Sequence, residues 1–176
     1  MRFLETELKG AYVIELEKRE DERGFFGRTF CVNEFEERGL NSEVLQCNLS
    51  FNARRGTLRG MHYQAEPFAE AKLVQCVRGS LYDVIIDLRR DSDTYCSWIG
   101  VELSAENGRM LYVPERFAHG FQSLEDNTAV YYQMFQFYAP QFARGVRWDD
   151  PAFGIKWPLE NPIISDKDRQ LPDYER

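Results

Sequence analysis

The sequence predicts an all-β protein, a sandwich or barrel with a few short helices at its periphery, and three observations carry that expectation. Short apolar, β-branched and aromatic runs recur at close spacing, with Gly and Asn at the breaks between them. Aromatic residues reach 14%, and such side chains fit a pleated, half-buried surface. Helix-start signals are scarce. The 176 residues suit one domain, 1–176, with no linker, repeat or low-complexity stretch.

Taken in order, residues 12–16 are apolar and β-branched and predict the first strand. The one convincing helix start follows: Asn33 as cap, acids at Glu34, Glu36 and Glu37 in the first turn, and Gly39 as terminator. Strands are then expected at 44–50 and 57–64. Residues 72–77 and 81–88 flank a turn at Arg78-Gly79. In the second of these, period-two alternation puts Asp83 and Asp87 on one face with Leu81 and Ile85. Further strands are expected at 101–103, 110–113, 119–124 and 128–137.

Composition excludes several classes. The net charge is −7, Lys and Arg are scattered, and no basic stripe marks a nucleic-acid binder. No run approaches the roughly 18 apolar residues of a membrane span. The first residues lack the apolar centre of a signal peptide, so a cytoplasmic protein is expected. Cys31, Cys47, Cys76 and Cys96 form no CxxC pair and are expected to be reduced thiols, mostly buried.

The two histidines, His62 and His119, each end a glycine-bounded strand segment. Two histidines on separate strands can share a pocket; a lone one is more often a satisfied core residue. Gly56, His62, position 64, an acid near 70 and Gly79 have the spacing of the first cupin motif, and Gly108, Pro114 and His119 that of the second. This resemblance implies a cupin-type β-jelly roll with both histidines pointing inward. The metal-binding pattern has a second histidine where this chain has Gln64. An amide is a weak ligand for the metals that imidazole suits, so no metal is expected at His62, His119 and Glu70.

A longer set of segments covers nearly the whole chain. It runs through Asp21-Glu22-Arg23-Gly24-Phe25-Phe26, Gln46-Cys47-Asn48-Leu49-Ser50, Gly56 to Gln64, Lys72-Leu73-Val74 and Asp83 to Arg89. It continues with Phe117-Ala118-His119-Gly120-Phe121, Tyr138-Ala139-Pro140, Trp148-Asp149-Asp150-Pro151 and Ser165-Asp166-Lys167-Asp168. In order and spacing these resemble the dTDP-4-dehydrorhamnose 3,5-epimerase family, a metal-free branch of the cupins.

The resemblance implies proton abstraction next to a ketone on a nucleotide-linked 4-keto-6-deoxy sugar. Such chemistry needs a base, a charge beside the enolate oxygen and an acid on the opposite face. By resemblance His62 is the base, Asp168 its carboxylate partner, Lys72 the enolate stabiliser and Tyr132 the acid. Arg23 and Arg59 match the diphosphate contacts, Gln46 and Asn48 the polar contacts, and Phe26 and Tyr138 frame the sugar or base. His119 completes the substrate-binding set. The family also implies no cofactor and a homodimer, with residues 1–16 pairing with the partner.

Each assignment has a plainer alternative. Lys72 opens an apolar strand and can be merely solvated. Tyr131 and Tyr132 fall on opposite faces, so one of them can be core. Asp168 lies in a charged tail, and Phe26 can be core. The chain departs from the family pattern at Arg28, Arg116 and Ala143, which bears on the substrate rather than on the reaction. Epimerisation at C3 or C5 alone and 3,4-ketoisomerisation remain alternatives. So do a metal-dependent cupin enzyme and a non-catalytic sugar-binding module.

Overall fold

The structure is a computed structural model that describes residues 1–175; Arg176, the last residue of the expected domain, lies outside the described residues. Strands dominate and are arranged as two facing sheets. The first has the order β1 (Arg2–Glu5), β2 (Tyr12–Glu15), β10 (Met110–Val113), β7 (Lys72–Arg78), β12 (Thr128–Met134) and β5 (Gln46–Asn52). The second has β13 (Ala143–Gly145), β6 (Thr57–Gln64), β11 (Phe117–Ser123), β8 (Ser80–Asp87) and β9 (Trp98–Ser104). A two-residue strand, β14 (Ile163–Ile164), runs parallel to the start of β6. The remaining strands, β3 (Arg19–Asp21) and β4 (Gly24–Phe26), form a separate hairpin joined to neither sheet. Two facing antiparallel sheets are the jelly-roll architecture that the sequence predicts.

Alternation along the strands divides the side chains between three apolar layers. Between the sheets, Val74, Cys76, Leu111, Val113 and Val130 meet Leu81, Ile85, Leu103, Phe117 and Phe121. Behind the first sheet, Ile14, Leu73, Met110 and Tyr112 pack with Phe35. Behind the second, Val84 and Ile86, which alternate with Leu81 and Ile85, pack with Met61, Val146 and Phe153. Fully burying each such side chain contributes about 1.5–3 kcal/mol, so these layers set the fold.

The helix α1 (Val32–Glu36) is capped by Cys31, which makes no side-chain capping bond. The expected cap, Asn33, therefore lies inside the helix. What holds this short segment is Phe35, fully buried against the rings of Phe3, Phe30, Tyr112 and Phe135. Tertiary burial outweighs capping in a helix this short, since a single turn is marginal alone. Gly39 ends the segment as expected, with φ +67 and its N–H on the Glu36 carbonyl. The strand expected at 44–50 lies two residues further on, where the full ladder to β12 runs from Gln46 to Asn52. The strand expected to reach 137 stops at Met134. The sequence reading did not foresee β1, β3, β4, β13, β14 or the C-terminal helix α2 (Asp166–Arg169). All are four residues or fewer. Of these, β13 and β14 are held by pairing with the distant β6 rather than by their own propensity.

The chain's first strand pairs with its own β2, Phe3 opposite Ile14. Among the described residues, no helix is long and apolar enough to cross a membrane.

Candidate active site

A cleft of about 1030 Å³ opens between the sheets, at the end where β5 edges one and β13 edges the other. One wall comes from the first sheet. Gln46, Asn48 and Ser50 alternate inward along β5, while Cys47, Leu49 and Phe51 are turned away and exposed. In register with Asn48 and Gln46 stand Tyr132 and Met134 of β12, and Lys72 opens β7 opposite Met134. Alternation resolves the tyrosine pair: Tyr132 lines the cleft.

The other wall comes from the second sheet. Arg59, His62, Tyr63 and Gln64 of β6 line it with His119 and Phe121 of β11. His62 and His119 are register partners. Two glycines permit the close crossing behind them. Gly60 has φ +129, and a Cβ there would meet the Gly120 Cα at 2.5 Å. A Cβ on Gly120 would meet the Met61 Sδ at 2.6 Å and the Arg59 carbonyl at 2.7 Å. Side chains at either position would push β6 and β11 apart and separate the histidines.

Asp168 reaches this wall from a remote part of the chain. The parallel pairing of β14 with β6 delivers α2, and Ser165 caps it by accepting the Asp168 N–H at 3.1 Å. Asp168 Oδ1 then lies 2.8 Å from His62 Nε2, and its Oδ2 accepts the Gly60 N–H at 3.3 Å. Burial alone raises the Asp168 carboxyl. The hydrogen bond and charge of His62, the Gly60 N–H and Lys167 outweigh it and hold the group below its ordinary range. The carboxylate assigns the proton to His62 Nε2 and leaves Nδ1 as the basic nitrogen.

Lys72 is 5% exposed, with its ammonium 2.8 Å from Glu70 Oε1. A solvated strand lysine would stand in water, and this one does not. Tyr132 is pushed well above the ordinary phenol value, first by burial and then by the nearby Asp83 carboxylate, with Arg59 opposing. Arg59 is braced by Asn52 Oδ1 at 2.8 Å. The Gln46 side chain accepts the Tyr138 N–H at 2.6 Å, which ties Tyr138 to the mouth of the cleft. Gln64 does the same for the next residue, accepting the Ala139 N–H at 2.6 Å and donating to the carbonyls of Phe68 and Phe137. At the position of the second motif histidine the chain thus has a loop clamp. Among the described residues, no group of three or more His, Cys, Asp and Glu could hold a metal ion.

Nine of the residues singled out from sequence therefore line one cleft: Gln46, Asn48, Arg59, His62, Lys72, His119, Tyr132, Tyr138 and Asp168. Two do not. Arg23 and Phe26 lie on the β3–β4 hairpin, Arg23 paired with Asp21 and Phe26 74% exposed, and neither lines the cleft of its own chain. The sequence reading missed Arg144 and Lys167, two cations at the rim, and Asp83 beneath the floor. Asp83 had left a signal, a charge on the core face of a strand. With Arg59 and Lys72, the two rim cations give the cleft four fixed positive charges against the carboxylates of Glu70 and Asp168. A protein with net charge −7 thus gathers positive charge in one place, as an anionic ligand requires.

Fold and cleft together define a jelly-roll enzyme of the cupin type, with a histidine–carboxylate pair and a phenol facing one space lined by positive side chains. Comparison with known proteins makes this specific. The family model described as dTDP-4-dehydrorhamnose 3,5-epimerase matches residues 5–176. The enzyme of that name from Methanothermobacter thermautotrophicus is 48% identical over 171 residues, 96% of this chain and 91% of the relative. The crystal structure of the Elizabethkingia anophelis enzyme of that name superposes with a TM-score of 0.96 at 40% identity, covering 99% of this chain and 96% of that one. The Bacillus anthracis structure, with TDP and PPi bound, gives 0.95 at 42% identity, covering 98% and 99%. The chain belongs to the dTDP-4-dehydrorhamnose 3,5-epimerase family, and it is an epimerase, an isomerase by class.

Proposed function

We propose that this enzyme inverts C3 and C5 of a dTDP-linked 4-keto-6-deoxy sugar, forming the keto precursor of dTDP-L-rhamnose. The observation that carries the reading is the opposition of His62 and Tyr132. His62 stands on the second sheet with Asp168 behind it, and Tyr132 stands on the facing first sheet. A ligand between them meets a base on one side and a proton donor on the other, which inversion requires.

His62 Nδ1 takes the proton from the carbon next to the ketone, and the electron pair moves onto the carbonyl oxygen as an enolate. The Lys72 ammonium, buried and kept in place by Glu70, stabilises that oxygen. Tyr132 returns a proton to the opposite face of the carbon. Like any tyrosine hydroxyl, it carries a proton to give at neutral pH. Arg59, Arg144 and Lys167 supply the positive charge for the diphosphate, with the planar Arg59 guanidinium suited to two oxygens at once. Gln46, Asn48, His119 and Tyr138 bind the sugar and base. The reaction moves protons only, and nothing in it calls for a cofactor.

A homodimer completes the site in this reading. The β3–β4 hairpin joins neither sheet of its own chain, and Phe25 and Phe26 stand 53% and 74% exposed on its second strand. Packing it against a second copy buries these rings and offers Arg23 to the partner's ligand. Mixing Arg23→Ala and His62→Ala enzymes tests this: sites that regain both residues recover activity only if the hairpin acts across the dimer.

The direct test of function is incubation with dTDP-4-keto-6-deoxyglucose in heavy water. Deuterium is expected at both C3 and C5 of the product. Uptake at neither carbon overturns the reading, and uptake at one alone reduces it to single inversion.

A further inference from the structure

Asp83 lies in the centre of β8, opposite Phe121 of β11 and Val101 of β9. It is 0% exposed, on the core face with Leu81 and Ile85. A carboxylate in such a layer is costly unless its oxygens are bonded. Asp87, four residues further along on the same face, meets that requirement. It accepts from Arg89 twice through the side chain, from the Arg89 N–H, from Ser92 and from Thr94. Asp83 does not. Its Oδ1 lies 2.7 Å from His119 Nε2, while its Oδ2 is, among the described residues, the one buried side-chain oxygen or nitrogen without a hydrogen-bond partner. A fold that leaves a buried carboxylate half satisfied gives up stability, and such exceptions call for a reason.

The surroundings supply one. His119 lines the floor of the cleft, and its ring meets the Tyr132 ring edge-on, centroids 6.2 Å apart at 79°. With Nε2–H donated to Asp83, the tautomer of His119 is set and Nδ1 is the nitrogen left over, an acceptor suited to a sugar hydroxyl.

We infer that Asp83 is a positioning residue for proton return: it anchors the His119 ring, and through that ring's edge-on contact holds Tyr132 in place, so that inversion depends on it and proton abstraction does not. This rests on the epimerase reading above. It gives the enzyme two histidine–carboxylate pairs with divided duties, one at the base and one behind the acid.

The test is Asp83→Asn, which keeps the side chain's shape and replaces the charge-assisted bond from the His119 Nε2–H by a weaker neutral one. Thermal melting and dTDP binding establish that the variant is folded. It is then incubated with dTDP-4-keto-6-deoxyglucose in heavy water, and deuterium in the recovered starting sugar is read separately from inverted product. The His62 side chain is 45% exposed and exchanges its proton with solvent, so deuterium is expected to enter the starting sugar as in the native enzyme. Inverted product is expected to fall about tenfold or more. Undiminished inversion, or equal loss of exchange and inversion, overturns the inference. Should Asp83→Asn fail to fold, Asp83→Ser must show the same split, and parallel loss of both signals overturns it. A native enzyme that takes up no deuterium marks the failure of the epimerase reading itself.

Discussion

His62 meets Asp168 at 2.8 Å and His119 meets Asp83 at 2.7 Å, each through Nε2, and the two histidines are register partners on adjacent strands. Their surroundings separate them. The His62 side chain is 45% exposed, and Asp168 has a second hydrogen bond from Gly60 and a neighbouring cation in Lys167. The His119 side chain is 6% exposed, and among the described residues the Asp83 carboxylate has a hydrogen bond to His119 alone. A pair open to water can take up a proton and release it. A sealed pair holds its geometry. In the proposed reaction the two arrangements of the same side chains divide the work, and solvent access sets the division.

Removing the exposed pair has the largest expected effect. His62→Ala should abolish both deuterium uptake and product formation, a loss of about 10²–10⁴ in turnover, with dTDP affinity kept. Stopped-assay kinetics with dTDP titration as control measures this. Asp168→Asn keeps the ring and weakens its orientation, so a loss of about ten- to a hundredfold is expected, in kcat rather than in KM. If Asp168→Asn matched native turnover, the exposed pair would lose its claim to be the base.

The third buried carboxylate sharpens the contrast. Asp87 shares strand and face with Asp83, yet burial's upward push is outweighed by its bonds from Arg89, Ser92 and Thr94, and it falls to about 2. A depressed folded-state pKa stabilises the protein above the ordinary carboxylate value of 3.8, and that stability fades as pH falls through about 2. Asp87→Asn is therefore expected to cost about 2 kcal/mol at neutral pH, a difference that shrinks below pH ~4, with kcat unchanged. Denaturant melts at neutral and acid pH check it. Asp83→Asn should do the reverse, lowering turnover with little effect on melting. Asp21, whose pairing with Arg23 is fully exposed, marks the small end: Asp21→Asn should leave the melting curve unmoved, because water screens such pairs.

Much of the cleft was legible in the sequence because alternation is local. Gln46, Asn48 and Ser50 had to share one face of β5, and Tyr132 had to part from Tyr131, whatever the rest of the fold did. The family resemblance then named the reaction. Asp83 shows where legibility stopped. Its place on a core face could be read from Leu81 and Ile85, but its partner His119 is 36 residues away, and nothing local selects it. The helix cap failed for a related reason. Asn33 is a good capping residue, and the burial of Phe35 among four rings placed the cap at Cys31 instead.

Arg23 and Phe26 mark the same boundary from the other side. Their residue types suit a diphosphate and a sugar, yet the hairpin that carries them leaves the cleft of its own chain.

By itself the sequence determined the strand faces, the fold class and the family, because period-two alternation and ordered segments are properties of the chain alone. Only the tertiary structure decided which carboxylate meets which histidine. Asp168 reaches His62 across 106 residues because β14 pairs with β6 and Ser165 caps α2 beside it. His62 and His119 share a register because Gly60 and Gly120 let their strands approach closely enough. Separations of that kind are fixed by sheet pairing and packing, which act through the whole molecule at once.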